Sequence, residues 1–123
     1  KGLFFVIDGV KIINLTTHED ERGSFREVFR FPEQFQGIPI GQLSHSRVNE
    51  GVIKSWHGHV YQFQWNYVVS GQITVALYDN REDSSTYKET LEFIAGDEVE
   101  PIAYYFPPGV FHGYKCFFIT YTE

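Results

Sequence analysis

Short runs of alternating apolar and polar residues, cut by Gly, Pro, Asn and Asp, recur along nearly the whole chain. Side chains of an extended strand alternate faces, so this pattern builds half-buried strands and offers no continuous apolar stripe for a long helix. Residues 10–15, 23–30, 42–48, 51–57, 62–70, 72–78, 87–93, 102–106 and 113–121 are the candidate strands. Ser70-Gly71 lies between two of them and is expected to close a tight hairpin. Residues 79–85 are rich in turn formers and form a polar loop, and the one helical candidate, residues 32–36, is too short to shape the fold. Many short strands with turn signals at this spacing predict an all-β jelly-roll barrel.

At 123 residues the chain is expected to be one domain spanning 1–123, burying about two thirds of its unfolded surface. Aromatic residues make up 18%, which favours pleated, half-buried surfaces and supplies faces for stacking. A net charge of −6 without a basic run excludes nucleic acid as a partner. No apolar run approaches the roughly 20 residues that span a bilayer, so no membrane association is expected. A single cysteine, Cys116, cannot form an internal disulfide, and no signal segment precedes the first strand. Both point to a cytoplasmic protein.

The chemistry-bearing residues gather in two places. Gly51-Val52-Ile53-Lys54-Ser55-Trp56-His57-Gly58-His59 carries two imidazoles two residues apart, expected on one face of a strand, with Gln64 and Gly71 following. Pro107-Pro108-Gly109-Val110-Phe111-His112 adds a third histidine after a turn. The spacings Gly-x5-His-x-His-x4-Gln-x6-Gly and Pro-x-Gly-x2-His resemble the two motifs of cupins, whose double-stranded β-helix is a jelly-roll barrel. Metal-binding cupins usually carry Glu where Gln64 stands. Imidazole and carboxamide groups are metal ligands, so His57, His59, Gln64 and His112 are one candidate set for Fe, Mn, Ni or Zn. His18 and His45 match no such spacing and are expected on the surface or satisfied in the core. Trp56, Tyr61, Phe63 and Trp65 are expected to pack in the core rather than line a ligand platform.

Four ordered motifs resemble a more specific pattern. Asp20-Glu21-Arg22-Gly23-Ser24-Phe25-Arg26-Glu27 is similar to the Asp-x-Arg-Gly-x-Phe-x-Glu motif of the dTDP-4-dehydrorhamnose 3,5-epimerase family. Gln42-Leu43-Ser44-His45-Ser46-Arg47 and Gly51 to His57 resemble its Gln-x-Asn-x-Ser-x and Gly-Val-Leu-Arg-Gly-Leu-His segments. Asp79-Asn80-Arg81 falls on its Asp-x-Arg, and Phe106 to Tyr114 on its Ile-Pro-x-Gly-x-x-His-Gly-Phe. The resemblance implies a cupin-fold homodimer without a metal or other cofactor. Its substrate would be a nucleotide-linked 4-keto-6-deoxy-hexose of deoxysugar biosynthesis. His57 would be the catalytic base, drawing a proton from carbon beside the ketone. Arg22 and Glu27 would contact the nucleotide of the neighbouring subunit, Lys54 the diphosphate, and Gln42 and His112 the sugar and diphosphate region.

The chain also departs from that pattern. Gln64 stands at the position of the family's active-site lysine, where it would donate a hydrogen bond to the enolate oxygen without bringing charge. Lys54 replaces an arginine and lacks its bidentate fork. Ser55-Trp56 replaces Gly-Leu. The family continues for tens of residues beyond the position of Glu123, through a tyrosine acid and an aspartate that pairs with the histidine, so part of the C-terminal region is expected to be lacking. Tyr114 and Tyr121 are the tyrosines at hand. For Asp79 and Arg81 a solvated hairpin end is the simple expectation. The chemistry could be a double or single epimerisation or a keto-isomerisation. The alternatives are the metal cupin, acting as oxygenase, isomerase or lyase, and a non-catalytic cupin that binds a sugar nucleotide.

Overall fold

The structure is a computed structural model that describes residues 7–30, 41–59 and 61–116. Nine strands lie among them: β1 (Lys11–Asn14), β2 (Thr17–Asp20), β3 (Gly23–Arg26), β4 (Ile53–His57), β5 (Gln64–Tyr67), β6 (Gln72–Asp79), β7 (Thr90–Gly96), β8 (Ile102–Phe106) and β9 (Val110–Cys116). They form a four-stranded sheet ordered β4-β9-β6-β7, a three-stranded sheet ordered β1-β8-β5 and the hairpin β2-β3. All pairings are antiparallel. No helix occurs among the described residues. This is the expected jelly-roll arrangement, with two sheets face to face.

The core lies between the sheets. Val75 and Leu77 of β6, Ala95 of β7 and Val110 of β9 meet Ile102, Tyr104 and Phe106 of β8, with Ile7 closing one side. Every second residue of β6 from Val75 to Asp79 is buried, which is the period that half-buried strands require.

Three expectations are corrected. Ser70-Gly71 does not close a hairpin, because β5 pairs with β8 while β6 pairs with β7 and β9. The chain instead turns a corner from one sheet to the other. Gly71, at φ 91°, accepts a hydrogen bond from the Asp97 amide and donates one to its carboxylate, which ties this corner to the one between β7 and β8. Residues 42–48 form no strand, and all but Val48 are exposed. The strand expected at 87–93 starts only at Thr90, because residues 84–89 are held in turns by Tyr87 N to Ser84 O, Glu89 N to Thr86 O and Lys88 N to Asp79 O. Residues 32–36 and the end of the 113–121 candidate lie outside the described residues.

Asp79 is no solvated hairpin end. It is fully buried at the end of β6, and its carboxylate accepts from Arg81 Nε at 2.8 Å, Ser84 Oγ at 2.6 Å and Thr86 Oγ1 at 2.6 Å, as well as from the Arg81 backbone amide. Arg81 continues the latch by donating to Asp8 O. Burial alone would raise the Asp79 carboxyl, but the bonds from Arg81, Ser84 and Thr86 outweigh it and hold the group well below the usual carboxylate range. The stem of Arg81 packs where a Cβ on Gly109 would fall, so the turn before β9 depends on that glycine.

Candidate active site

β4 and β9 run side by side with Lys54 opposite Tyr114 and His57 opposite His112. Three steps along β4 thus match two along β9, which is a one-residue bulge. In a regular strand Lys54 and His57, three apart, would face opposite ways. The bulge restores the phase, and both line the same cavity. Gly113 sits against it: a Cβ there would stand 2.8 Å from Lys54 O and 3.1 Å from Ser55 Cα, so glycine lets the bulged backbone approach.

His59 lies beyond the end of β4, so the one-strand-face reading of the His-x-His pair does not hold. It reaches the same cavity from the irregular segment that follows the strand. Its carbonyl accepts from the Gly109 amide at 3.0 Å, and Gly58 passes beneath the Phe111 ring, where no Cβ would fit. The ring centroids of His57 and His59 then stand 6.0 and 5.9 Å from that of His112.

The cavity encloses about 290 Å³. On its β5 wall stand Gln64 and Asn66; Tyr104 and Phe106 come from β8, and His112 and Tyr114 from β9. Phe106 covers the His112 ring at 4.7 Å. Burial, and then the neighbouring His59 and His57, push the His112 imidazole down to about 4, so it is neutral at physiological pH. Two buried polar atoms among the described residues have no hydrogen-bond partner, Asn66 Nδ2 and His112 Nδ1, and both belong to residues of this cavity. Among the described residues no carboxylate lines it. Lys54, exposed like His57, brings the cationic side chain among the described lining residues.

His57, His59, Gln64, Lys54 and His112 are therefore brought together, as the motif spacing requires. Arg22, Glu27 and Gln42 are not. Arg22 pairs with Asp20 at the turn of the β2-β3 hairpin, Glu27 with Arg30, and Gln42 donates to Ser44 Oγ, all on the surface of this chain. Ser46, Asn66, Tyr104 and Phe106 complete the cavity and were not singled out from the sequence. For Asn66 a signal existed: Gln64-Trp65-Asn66-Tyr67 alternates polar and aromatic residues, which marks a polar strand face turned inward. His18 and His45 are exposed, as expected. Trp56, Tyr61 and Phe63 are not core residues, being 49%, 89% and 48% exposed; only Trp65 packs well, against Phe29 and Tyr105. Among the described residues no group of three or more His, Cys, Asp or Glu side chains is arranged to hold a metal ion.

The sequence was matched against known proteins and the fold against solved structures. A sequence profile described as dTDP-4-dehydrorhamnose 3,5-epimerase matches residues 5–120. The spore coat polysaccharide biosynthesis protein SpsL of Bacillus subtilis (strain 168) is 41% identical over 110 residues, which are 89% of this chain and 72% of that protein. The fold superposes with a TM-score of 0.81 on a dTDP sugar isomerase from Desulfovibrio desulfuricans G20, at 26% identity over 89% of this chain and 69% of that one. A dTDP-6-deoxy-D-glucose-3,5-epimerase from Legionella pneumophila Philadelphia 1, solved in complex with dTDP-4-keto-L-rhamnose, gives a TM-score of 0.75 at 29% identity, covering 90% of this chain and 62% of that one. With the histidine cavity at the position the motifs mark and the profile spanning nearly the whole sequence, the chain belongs to the dTDP-4-dehydrorhamnose 3,5-epimerase family, sugar-nucleotide epimerases of the cupin fold.

Proposed function

We propose that this protein epimerises a 4-keto-6-deoxy-hexose carried on dTDP, by acid–base chemistry at the cavity between β4, β5 and β9. The observation that carries the reading is the bulge that turns His57 and Lys54 to one side, facing Gln64 of the other sheet across a space sized for a sugar ring.

His57, exposed at the rim, is the base. It takes a proton from a carbon beside the ketone; the electron pair of the broken C–H bond forms a C=C bond, and the ketone oxygen becomes an enolate. Gln64 donates an amide hydrogen to that oxygen, a weaker stabilisation than a cation would give. Return of a proton to the opposite face of the carbon inverts it. Lys54 attracts the diphosphate as a point charge. His112, kept neutral by burial, offers hydrogen bonds without repelling an incoming proton. None of these steps calls for a metal or a redox cofactor.

Arg22, Glu27 and Gln42 serve as nucleotide and sugar contacts across a homodimer interface. Their absence from the lining of this chain's own cavity supports that role, as does the exposed Phe25 on β3 between Arg22 and Glu27. The substrate is a cytoplasmic metabolite in this reading. The polysaccharide role named for the Bacillus relative supports a product destined for a surface glycan.

The test is exchange in deuterium oxide. Incubated with dTDP-4-keto-6-deoxyglucose, the protein incorporates solvent deuterium at C3, C5 or both, read by mass spectrometry and proton NMR. The His57→Gln variant binds dTDP but exchanges nothing. Wild-type protein that binds dTDP without any exchange is a binding cupin, and the catalytic reading is then wrong.

A further inference from the structure

On β5, Trp65 faces away from the cavity, against Phe29 and Tyr105, and the Tyr67 hydroxyl accepts a bond from Arg26 at 2.8 Å. The alternation therefore sends Gln64 and Asn66 inward as a pair of carboxamides on one strand face. Their positions differ chemically. Gln64 stands opposite Phe106, at the end of the strand nearer the histidines' turn, whereas Asn66 stands opposite Tyr104, beside Val75. Its Nδ2 is stripped of solvent there and meets no acceptor among the described residues.

A buried amide nitrogen without an acceptor is a standing desolvation penalty. An apolar side chain of similar size, such as valine, would occupy much of that space without the penalty, so the amide calls for a ligand that supplies the acceptor. The second unpartnered atom, His112 Nδ1, faces the same need from β9. A neutral imidazole nitrogen is a donor or an acceptor according to tautomer. A sugar hydroxyl satisfies either, because it donates one bond and accepts others. A phosphate oxygen, which only accepts, would not serve both tautomers.

We propose that Asn66 is a substrate-binding residue that selects the sugar, donating from Nδ2 to a ring hydroxyl oxygen while His112 Nδ1 takes a hydroxyl from the other wall of the cavity. The assignment rests on the sugar-nucleotide reading of the pocket and adds a residue that sets which hexose is accepted. Asn66 touches the sugar and leaves the nucleotide to other groups.

Asn66→Val tests this, with Asn66→Asp, which cannot donate when ionised, as the second variant. Three quantities are measured: melting temperature, calorimetric affinity for dTDP and for the unreactive dTDP-glucose, and kcat/KM on dTDP-4-keto-6-deoxyglucose. Asn66→Val is expected to melt at or above the wild-type temperature and to bind dTDP within twofold of it. It should lose about tenfold in affinity for dTDP-glucose and at least tenfold in kcat/KM, the effect of one hydrogen bond to a buried group. Asn66→Asp should show the same loss on the sugar ligands. A melting temperature that drops while dTDP-glucose affinity holds makes Asn66 a structural residue and overturns the proposal, as does kcat/KM within twofold of wild type. If wild-type protein proves inactive yet binds dTDP-glucose more tightly than dTDP, the epimerase reading fails alone and the binding comparison still decides Asn66. If the sugar adds nothing to wild-type affinity, the assignment of Asn66 is overturned.

Discussion

Two polar clusters sit inside this barrel, and they are built in opposite ways. At the end of β6 the Asp79 carboxylate is fully buried and saturated: Arg81, Ser84, Thr86 and a backbone amide all donate to it. Between β4, β5 and β9 the histidine cavity holds polar side chains with atoms that nothing among the described residues satisfies. Both carry motif residues, so motif matching alone treats them alike. Hydrogen-bond completeness separates them. A saturated cluster has no capacity left for a ligand and serves to hold a turn, whereas an unsaturated one has its bonding groups free for a substrate.

The comparison breaks most sharply at His57. His57→Gln should lower turnover by about 10²- to 10⁴-fold, the range for a missing general base, with dTDP affinity and melting temperature held. Stopped assays of C3 and C5 exchange measure it. At the latch the expectation is reversed. Asp79→Ala leaves Arg81 uncompensated and should cost about 3–5 kcal/mol in urea unfolding, while protein that remains folded keeps its dTDP affinity. A catalytic loss from Asp79→Ala beyond the folded fraction would collapse the distinction between the two regions.

Acid should also tell the clusters apart. His112 has a pKa of about 4 in the folded protein, below its ordinary 6.5, so the unfolded chain takes up its proton first as the pH falls. Stability is therefore complete above pH 6.5 and declines between 6.5 and 4, by about 1–2 kcal/mol once solvent at the cavity mouth is allowed for. The Asp79 carboxyl is also lowered, and its contribution is lost only at more acid pH, below the ordinary carboxylate value of 3.8. Urea midpoints from pH 8 to 2 should show the His112 decline above pH 4 and the onset of the Asp79 decline below 3.8, and His112→Asn should abolish the first alone. The smallest structural effect is expected at Arg22→Ala. Its pair with Asp20 is exposed, so the melting temperature should not change. Affinity for dTDP should still fall about tenfold if Arg22 serves a neighbouring subunit, an effect typical of losing a charged hydrogen bond.

Much of this architecture was readable in the residues. Alternation located the core strands β6 and β8 to within a residue, because a period of two is a local property that solvent and core impose on each strand separately. Motif spacing picked out His57, Gln64, Lys54 and His112, and they do share one cavity. Where the reading failed, partners distant in sequence decided the outcome. Ser70-Gly71 carries the composition of a hairpin, but β8 and β9 compete for the flanking strands and win, which leaves a corner. Residues 42–48 have strand-like composition and no strand to pair with.

The sequence by itself determined the class of fold and the family, since alternation, turn residues and ordered motifs need no knowledge of what lies opposite. Which polar groups are satisfied and which line the cavity depends on how strands distant in sequence come together. Nothing in Gly113 alone reveals the bulge that brings Lys54 and His57 to one side, because that bulge exists only where β9 passes β4. Nor does Asn66 declare an unpartnered amide until β5 and β8 close around it. Hydrogen-bond satisfaction is a property of pairs, and in a jelly roll most pairs are formed by residues far apart in the chain.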